Sequence, residues 1–191
     1  MENKKYIVLD DDPTGIQTVH DVYMITQIDK ASIEKAFLQS QNLFYILTNS
    51  RAFSKEYTIQ YHKGLIQNII DVAKKLDMDF TIVSRSDSTL RGHYPTETQV
   101  IYDVLKKNHM HIDGEILCPY LDGIRKTEKD IHYVLVNDTW VPVGKTEFAK
   151  DKTFAFQSSD LKEYVEEKTN KAYLASSCIS ISLSDLQDES I

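Results

Sequence analysis

Two hydrophobic periods alternate along this chain. Short runs of consecutive apolar residues are separated by longer stretches in which apolar positions recur at helical spacing. The first run, Tyr6-Ile7-Val8-Leu9, predicts a buried strand over 4–9 of the kind found in parallel sheets. A short strand is predicted over 22–26, and Leu43-Phe44-Tyr45-Ile46-Leu47 predicts the next. A further strand is expected over 79–83, and Glu115-Ile116-Leu117-Cys118 reads as the last parallel-type strand. Between these runs lie three helical patterns. One covers 31–40, with Ile33, Ala36 and Phe37 on one side. The second follows Ser54 as a cap and runs to about residue 76, with Ile59, Leu65, Ile66, Ile69, Ile70 and Val72 forming a stripe. The third covers 95–107, with Pro95 near its start, where a missing N–H costs least.

The rhythm then changes. Residues 132–136 and 139–143 flank Asn137-Asp138 and predict a β-hairpin with a tight turn. Residues 146–159 read as loop and 161–168 as a helix. Late strands are expected at 172–176 and 179–183, and 187–191 carries no folding signal. Alternating strands and helices predict an α/β protein: a three-layer Rossmann-like domain with a mainly parallel sheet and an added β-hairpin. Its 191 residues suit a single α/β domain over 1–191.

Composition narrows the class. Hydrophobic residues make up 41% and charged residues 27%, as in ordinary globular chains. The formal net charge of −7 gives no global attraction for nucleic acid or an acidic membrane surface. Cys118 and Cys178 lie far apart and make no CxxC, which suits reduced thiols. No run approaches the length of a membrane helix, so the cytoplasm is the expected compartment. Oligomeric state is left open, a homo-oligomer included.

The chemistry concentrates where strands end. The first strand runs into Asp10-Asp11-Asp12-Pro13-Thr14-Gly15, the next long one into Thr48-Asn49-Ser50-Arg51. The strand over 79–83 leads into Ser84-Arg85-Ser86-Asp87-Ser88-Thr89-Leu90-Arg91-Gly92, and 115–118 leads into a loop containing Asp122 and Arg125. Open α/β sheets bind ligands outside the carboxyl ends of their strands. Arginine offers a planar fork that matches a carboxylate or phosphate, and aspartate accepts from hydroxyls or acts as a base. A ligand with one anionic end and several hydroxyls, such as a small sugar acid, satisfies both sets. Some of these charges are also expected to pair with each other. Three consecutive aspartates cannot all be buried and ionised without a cation among them. His20 and His93 stand near the loops, whereas His62, His109 and His111 are expected at the surface. HExxH and paired-cysteine spacings are absent, so no metal site is assigned; GxxxxGK and GxGxxG are absent too, so no nucleotide site is visible.

Taken in order, Asp11-Asp12-Pro13-Thr14-Gly15, Ser50-Arg51, Asp87-Ser88-Thr89-Leu90-Arg91-Gly92 and the Arg125 loop resemble the N-terminal domain of the four-carbon acid sugar kinase family. The resemblance extends from residue 5 to about 186, including the hairpin and the segment Thr146-Glu147-Phe148-Ala149. It implies a domain that binds an acid such as threonate, erythronate or 3-oxo-tetronate, phosphorylated with ATP and Mg²⁺ brought by a C-terminal nucleotide-binding domain that this chain lacks. Carried over, Asp11 and Asp12 become the catalytic candidates. Asp11, Asp12, Ser50, Arg51, Asp87, Ser88, Arg91 and Arg125 become the substrate-binding set. This chain alone is then expected to be inactive as a kinase. It departs from the family pattern at Asp10, where a small residue is usual, at Ile124, where glycine is usual, and at Leu121, where proline is common.

Two other readings stand beside it. Asp10-x-Asp12 with a later Thr48-Asn49-Ser50 is similar to the opening motifs of haloacid-dehalogenase-type phosphatases, which use Mg²⁺, although Pro13 stands where glycine is expected. A non-catalytic module that binds a sugar acid is the third.

Overall fold

A computed structural model describes residues 4–187. The chain divides into two compact units, one ending at Ile116 and one beginning at Leu117.

The first unit is a parallel α/β layer pair. Strands β1 (Lys4–Asp10), β2 (Tyr23–Ile25), β3 (Leu43–Leu47) and β4 (Asp79–Arg85) form one sheet in the order β2-β3-β1-β4. All three pairings are parallel. Helix α1 (Lys30–Phe37) connects β2 to β3, and α2 (Lys55–Leu76) connects β3 to β4. Both crossovers run in the same direction across the sheet, so the right-handed rule places both helices on one face. Helix α3 (Thr96–Lys107) follows β4 and joins the same core.

The register shows which side chains meet those helices. The rows Tyr23–Phe44–Ile7–Ile82 and Ile25–Ile46–Leu9–Ser84 run across the sheet. Phe44, Ile7, Ile46 and Leu9 are buried in one cluster with Ile33, Phe37, Leu65, Ile66, Ile69, Val100 and Ile101. Burying each such side chain contributes roughly 1.5–3 kcal/mol. The intervening row, Met24–Tyr45–Val8–Val83, points to the other face. There Met24 and Val83 are exposed. Helix α2 starts as its sequence predicts: the Ser54 hydroxyl accepts from Tyr57 N at 3.2 Å.

The second unit is smaller. Strands β5 (Arg125–Glu128), β6 (Ile131–Val136) and β7 (Thr139–Pro142) form an antiparallel sheet, followed by α4 (Leu161–Lys168) and a short α5 (Leu183–Gln187). The predicted hairpin is β6–β7. Its turn residues Asn137 and Asp138 have φ of 46° and 59°, the left-handed pair that matches the twist of the flanking strands. Lys129 and Asp130 make the same kind of turn between β5 and β6 and add a strand that the sequence did not announce.

Three expectations are corrected. Residues 115–118 form no strand: the apolar run is three residues long, Pro119 has no N–H to give a ladder, and Ile116 is exposed. Residues 172–176 and 179–183 are not strands either. The first contains a short 3₁₀ turn at Ala175–Ser177, and Ile179 and Ile181 are exposed with no neighbour to pair with among the described residues. His62 is buried rather than at the surface, because α2 is covered on that side by α3. No helix among the described residues is long and apolar enough to cross a membrane.

Candidate functional site

Strand alternation distributes the three aspartates. Asp10 ends β1 in register with Arg85 at the end of β4, on the face away from the helices. Arg85 Nη1 donates to Asp10 Oδ1 at 3.0 Å. Asp10 is 1% exposed, and its Oδ2 accepts no hydrogen bond among the described residues. Burial therefore pushes its carboxyl above the usual aspartate range, against the pull of Arg85. Gly15 closes over this pair. A Cβ there would stand 1.9 Å from Arg85 Nη1 and 2.4 Å from Asp10 Oδ1, so a side chain at this position would push the pair apart.

Asp11 turns the other way and is equally buried. Arg51 grips it with both edges of the guanidinium fork, Nη2 to Oδ1 at 2.6 Å and Nε to Oδ2 at 3.1 Å. Ser86 Oγ donates to Oδ2 at 2.7 Å. Arg51 Nη1 reaches Asp12 Oδ2 at 3.2 Å. Asp12 also takes Thr14 Oγ1 at 2.5 Å and Thr14 N at 2.7 Å, and these bonds hold its carboxyl below the usual range. Backbone bonds join the loops as well: Thr48 N donates to Asp10 O at 2.9 Å, Arg51 N to Asp11 O and Asp11 N to Arg85 O, both at 3.2 Å.

The loop after β4 folds on its own aspartate. Asp87 accepts from Thr89 N at 3.0 Å, Thr89 Oγ1 at 2.6 Å and Arg91 Nε at 2.7 Å. Burial alone would raise the Asp87 carboxyl; these donors, with Arg51 nearby, outweigh it and hold it low. Leu90, buried at the crest, sits at φ 67°, a strained conformation for a bulky residue. Gly92 must be glycine for a steric reason: a Cβ would lie 2.1 Å from Ser86 Oγ, the donor to Asp11. Ser88 is half-buried in this loop.

Beneath this layer lies a polar group whose acid, Glu97, sequence reasoning missed and whose hydroxyl, Ser50, it named as a ligand contact. Ser50 is fully buried, and its hydroxyl contacts Glu97 Oε1 at 2.5 Å and Thr48 Oγ1 at 3.1 Å. Glu97, in the first turn of α3, is 4% exposed. Nothing in the local pattern separates it from a surface glutamate complementing a helix dipole. His62 Nδ1 donates to Thr58 O at 3.0 Å, and its Nε2 faces Glu97 Oε1 at 3.8 Å. Burial lowers the His62 imidazole and so keeps it neutral. His93 is buried, with Nε2 at 3.1 Å from Phe53 O, whereas His20 is exposed beside Asp21.

The first unit thus brings together Asp10, Asp11, Asp12, Arg51, Arg85, Asp87 and Arg91 at the carboxyl ends of β1, β3 and β4. Arg125 belongs to the second unit, at the start of β5, where Nη1 donates to Ile124 O at 2.7 Å and the guanidinium lies 6.0 Å from the centre of the Phe148 ring. Each arginine of the first unit is oriented by an aspartate yet keeps part of its side chain in solvent: 22% for Arg51, 32% for Arg85 and 34% for Arg91. Such held forks bind an oxyanion with little ordering cost. With four aspartates to three arginines the cluster has no net positive charge, so an anion there depends on oriented donors, and a ligand with hydroxyls as well as an anionic end suits it better than a bare anion.

No protein of curated function is detectably similar in sequence. The fold is similar to that of a domain of unknown function (DUF1537) from Bordetella bronchiseptica, whose crystal structure is described with bound citrate and as a domain-swapped dimer. The TM-score is 0.55 and the identity 16%, over 84% of this chain and 39% of that one. At that identity the likeness speaks to the fold alone. A family model for the sugar-binding N-terminal domain matches residues 6–190, nearly the whole sequence, and the chain belongs to that family.

Proposed function

We propose that the cluster at the ends of β1, β3 and β4 binds a small hydroxylated carboxylic acid, and that the chain is the substrate-binding part of an ATP-dependent kinase for four-carbon acid sugars such as threonate, erythronate or 3-oxo-tetronate. One observation carries this reading: Arg51 and Arg91 are each oriented by a buried or nearly buried aspartate, within the loops after β3 and β4 that flank the end of β1, and remain partly open to solvent. Arg51 and Arg91 take the ligand carboxylate, and Asp12, the more exposed of the first-loop pair, accepts from its hydroxyls. Asp11 and Ser50 act from below by fixing Arg51. Membership of a sugar-binding family supports the substrate class. The citrate in the Bordetella protein, itself a hydroxy acid, supports it by analogy, and the domain-swapped dimer there makes a homo-oligomer the form to look for here.

ATP and Mg²⁺ belong to this proposal through a nucleotide-binding domain outside the 191 residues. Among the described residues no three His, Cys, Asp or Glu side chains converge where an ion could sit. Its part is to bind and orient the acid for transfer to a hydroxyl, a reaction that rests mainly on positioning and charge. The phosphatase reading is disfavoured by Asp10, which is buried and bonded to Arg85 where a nucleophile needs access.

The test is a thermal-shift panel with D-threonate, L-threonate, D-erythronate and a neutral tetritol. At least one acid is expected to raise the melting temperature while the tetritol does not. Equal shifts from acid and tetritol, or none from any acid, contradict the proposal.

A further inference from the structure

Glu97 sits at one end of a buried chain of polar contacts whose protons can be counted. Thr48 Oγ1 lies 2.9 Å from Asp10 O, Thr48 Oγ1 lies 3.1 Å from Ser50 Oγ, and Ser50 Oγ lies 2.5 Å from Glu97 Oε1. Asp10 O is a carbonyl and can only accept, so the Thr48 proton points to it. The Thr48–Ser50 contact then needs the Ser50 proton. The Ser50–Glu97 contact needs a third, and the two hydroxyls hold only two between them. If Glu97 is a neutral acid, its O–H supplies the third, and the chain runs in one direction: Glu97 to Ser50 to Thr48 to Asp10 O. If Glu97 is ionised, one of three buried contacts has no proton.

We infer that Glu97 is a neutral carboxylic acid at physiological pH and a positioning residue for Arg51, acting through the hydroxyl of Ser50. The surroundings agree. Glu97 faces Ser50 and Arg51 from the turn after β3, Asp11 from the end of β1, His62 from α2 and His93 from the segment before α3. Burial raises its carboxyl and the charge of Asp11 adds to this; the Ser50 hydrogen bond and the nearby His93 and Arg51 oppose it without reversing the direction. His62 is itself buried and kept neutral, and its Nε2 lies too far from Glu97 for a hydrogen bond, so it offers no compensating positive charge. Ser50 opens the turn Ser50–Ala52 that carries Arg51. A rigid Ser50 therefore fixes where the Arg51 fork meets Asp11 and Asp12. The inference concerns the support of Arg51 and holds whichever anion the site takes.

The experiment needs no ligand, so its failure leaves the proposed function standing. Glutamate side-chain carboxyl carbons are labelled with ¹³C in the full chain and titrated by NMR. One resonance is expected to keep the protonated shift at neutral pH and to be absent in Glu97→Gln. Because the glutamine amide can still donate to Ser50, Glu97→Gln is expected to melt near the wild-type temperature, whereas Glu97→Ala melts lower. Ser50→Ala, which removes the partner, is expected to move the midpoint of that resonance. A wild-type spectrum with every glutamate ionised at neutral pH overturns the inference whatever the variants do. So does a protonated resonance that survives Glu97→Gln, or one whose midpoint Ser50→Ala leaves unmoved.

Discussion

Arg51 and Arg91 are both held by an aspartate, yet removing them has different consequences. Asp11 is 2% exposed in its side chain, and Arg51 supplies two of its hydrogen bonds. Arg51→Ala strands a buried carboxylate, so a loss of about 3–5 kcal/mol is expected in chemical denaturation. Asp87 and Arg91 are more open, at 12% and 34%, and Thr89 stays on Asp87 when Arg91 is gone. Arg91→Ala should cost only about 1 kcal/mol or less. Equal losses for the two variants would show that the loops share their load differently. At this scale the sequence was legible where residue types announced themselves. The arginines, the aspartates and the pairing among them could be read from a string of polar residues at a strand end. Ser50 was read as a site residue too, but its buried partner Glu97 was not, since only the packing of α3 against the turn after β3 buries them together. Gly15 was legible as a special position, but its reason, the Arg85–Asp10 pair filling the space of a side chain, is tertiary.

At the scale of elements, local signals worked where a cap and a period coincided. Ser54 marks the start of α2, and the observed helix ends at Leu76 with Asp77 in the left-handed conformation. Ser54→Ala should cost about 1 kcal/mol in thermal unfolding, and a change near zero would mean that tertiary packing alone sets the start of the helix. Strand β3 coincides with its apolar run, because five consecutive apolar residues bounded by polar ones leave no other register. The misread strands share a physical cause. Residues 115–118 and 179–183 are apolar enough to pair, but a strand exists only where another offers its edge. Strand β5 was missed for the converse reason: Arg-Lys-Thr-Glu has no apolar signal and is held by β6 and a tight turn.

For the whole molecule, the carboxyls of the cluster oppose one another as pH changes. Asp12 and Asp87 are held below their ordinary range in the folded chain. Their contribution is fully present above the unfolded carboxylate value and is lost as pH falls through the lower folded one. Asp10 and Glu97 are raised, so their contribution is present below the unfolded value and fades as pH rises through the higher folded one. Asp87→Asn should therefore flatten the acid limb of stability against pH, and Glu97→Gln the limb above it. Unchanged limbs in both variants would show that these groups titrate alike in the folded and unfolded chain. The α/β class was legible from alternating periods. The division at Ile116 was not, since it falls in the run 115–118 that reads as a strand.

The most direct measurement is calorimetric titration of the four-carbon acids into the wild-type chain and into Arg91→Ala, side by side. A charge-assisted hydrogen bond contributes about 1.5–3 kcal/mol, so the variant should bind roughly ten- to a hundredfold more weakly while remaining folded. An acid that binds both proteins equally well would place the anion elsewhere and contradict the account.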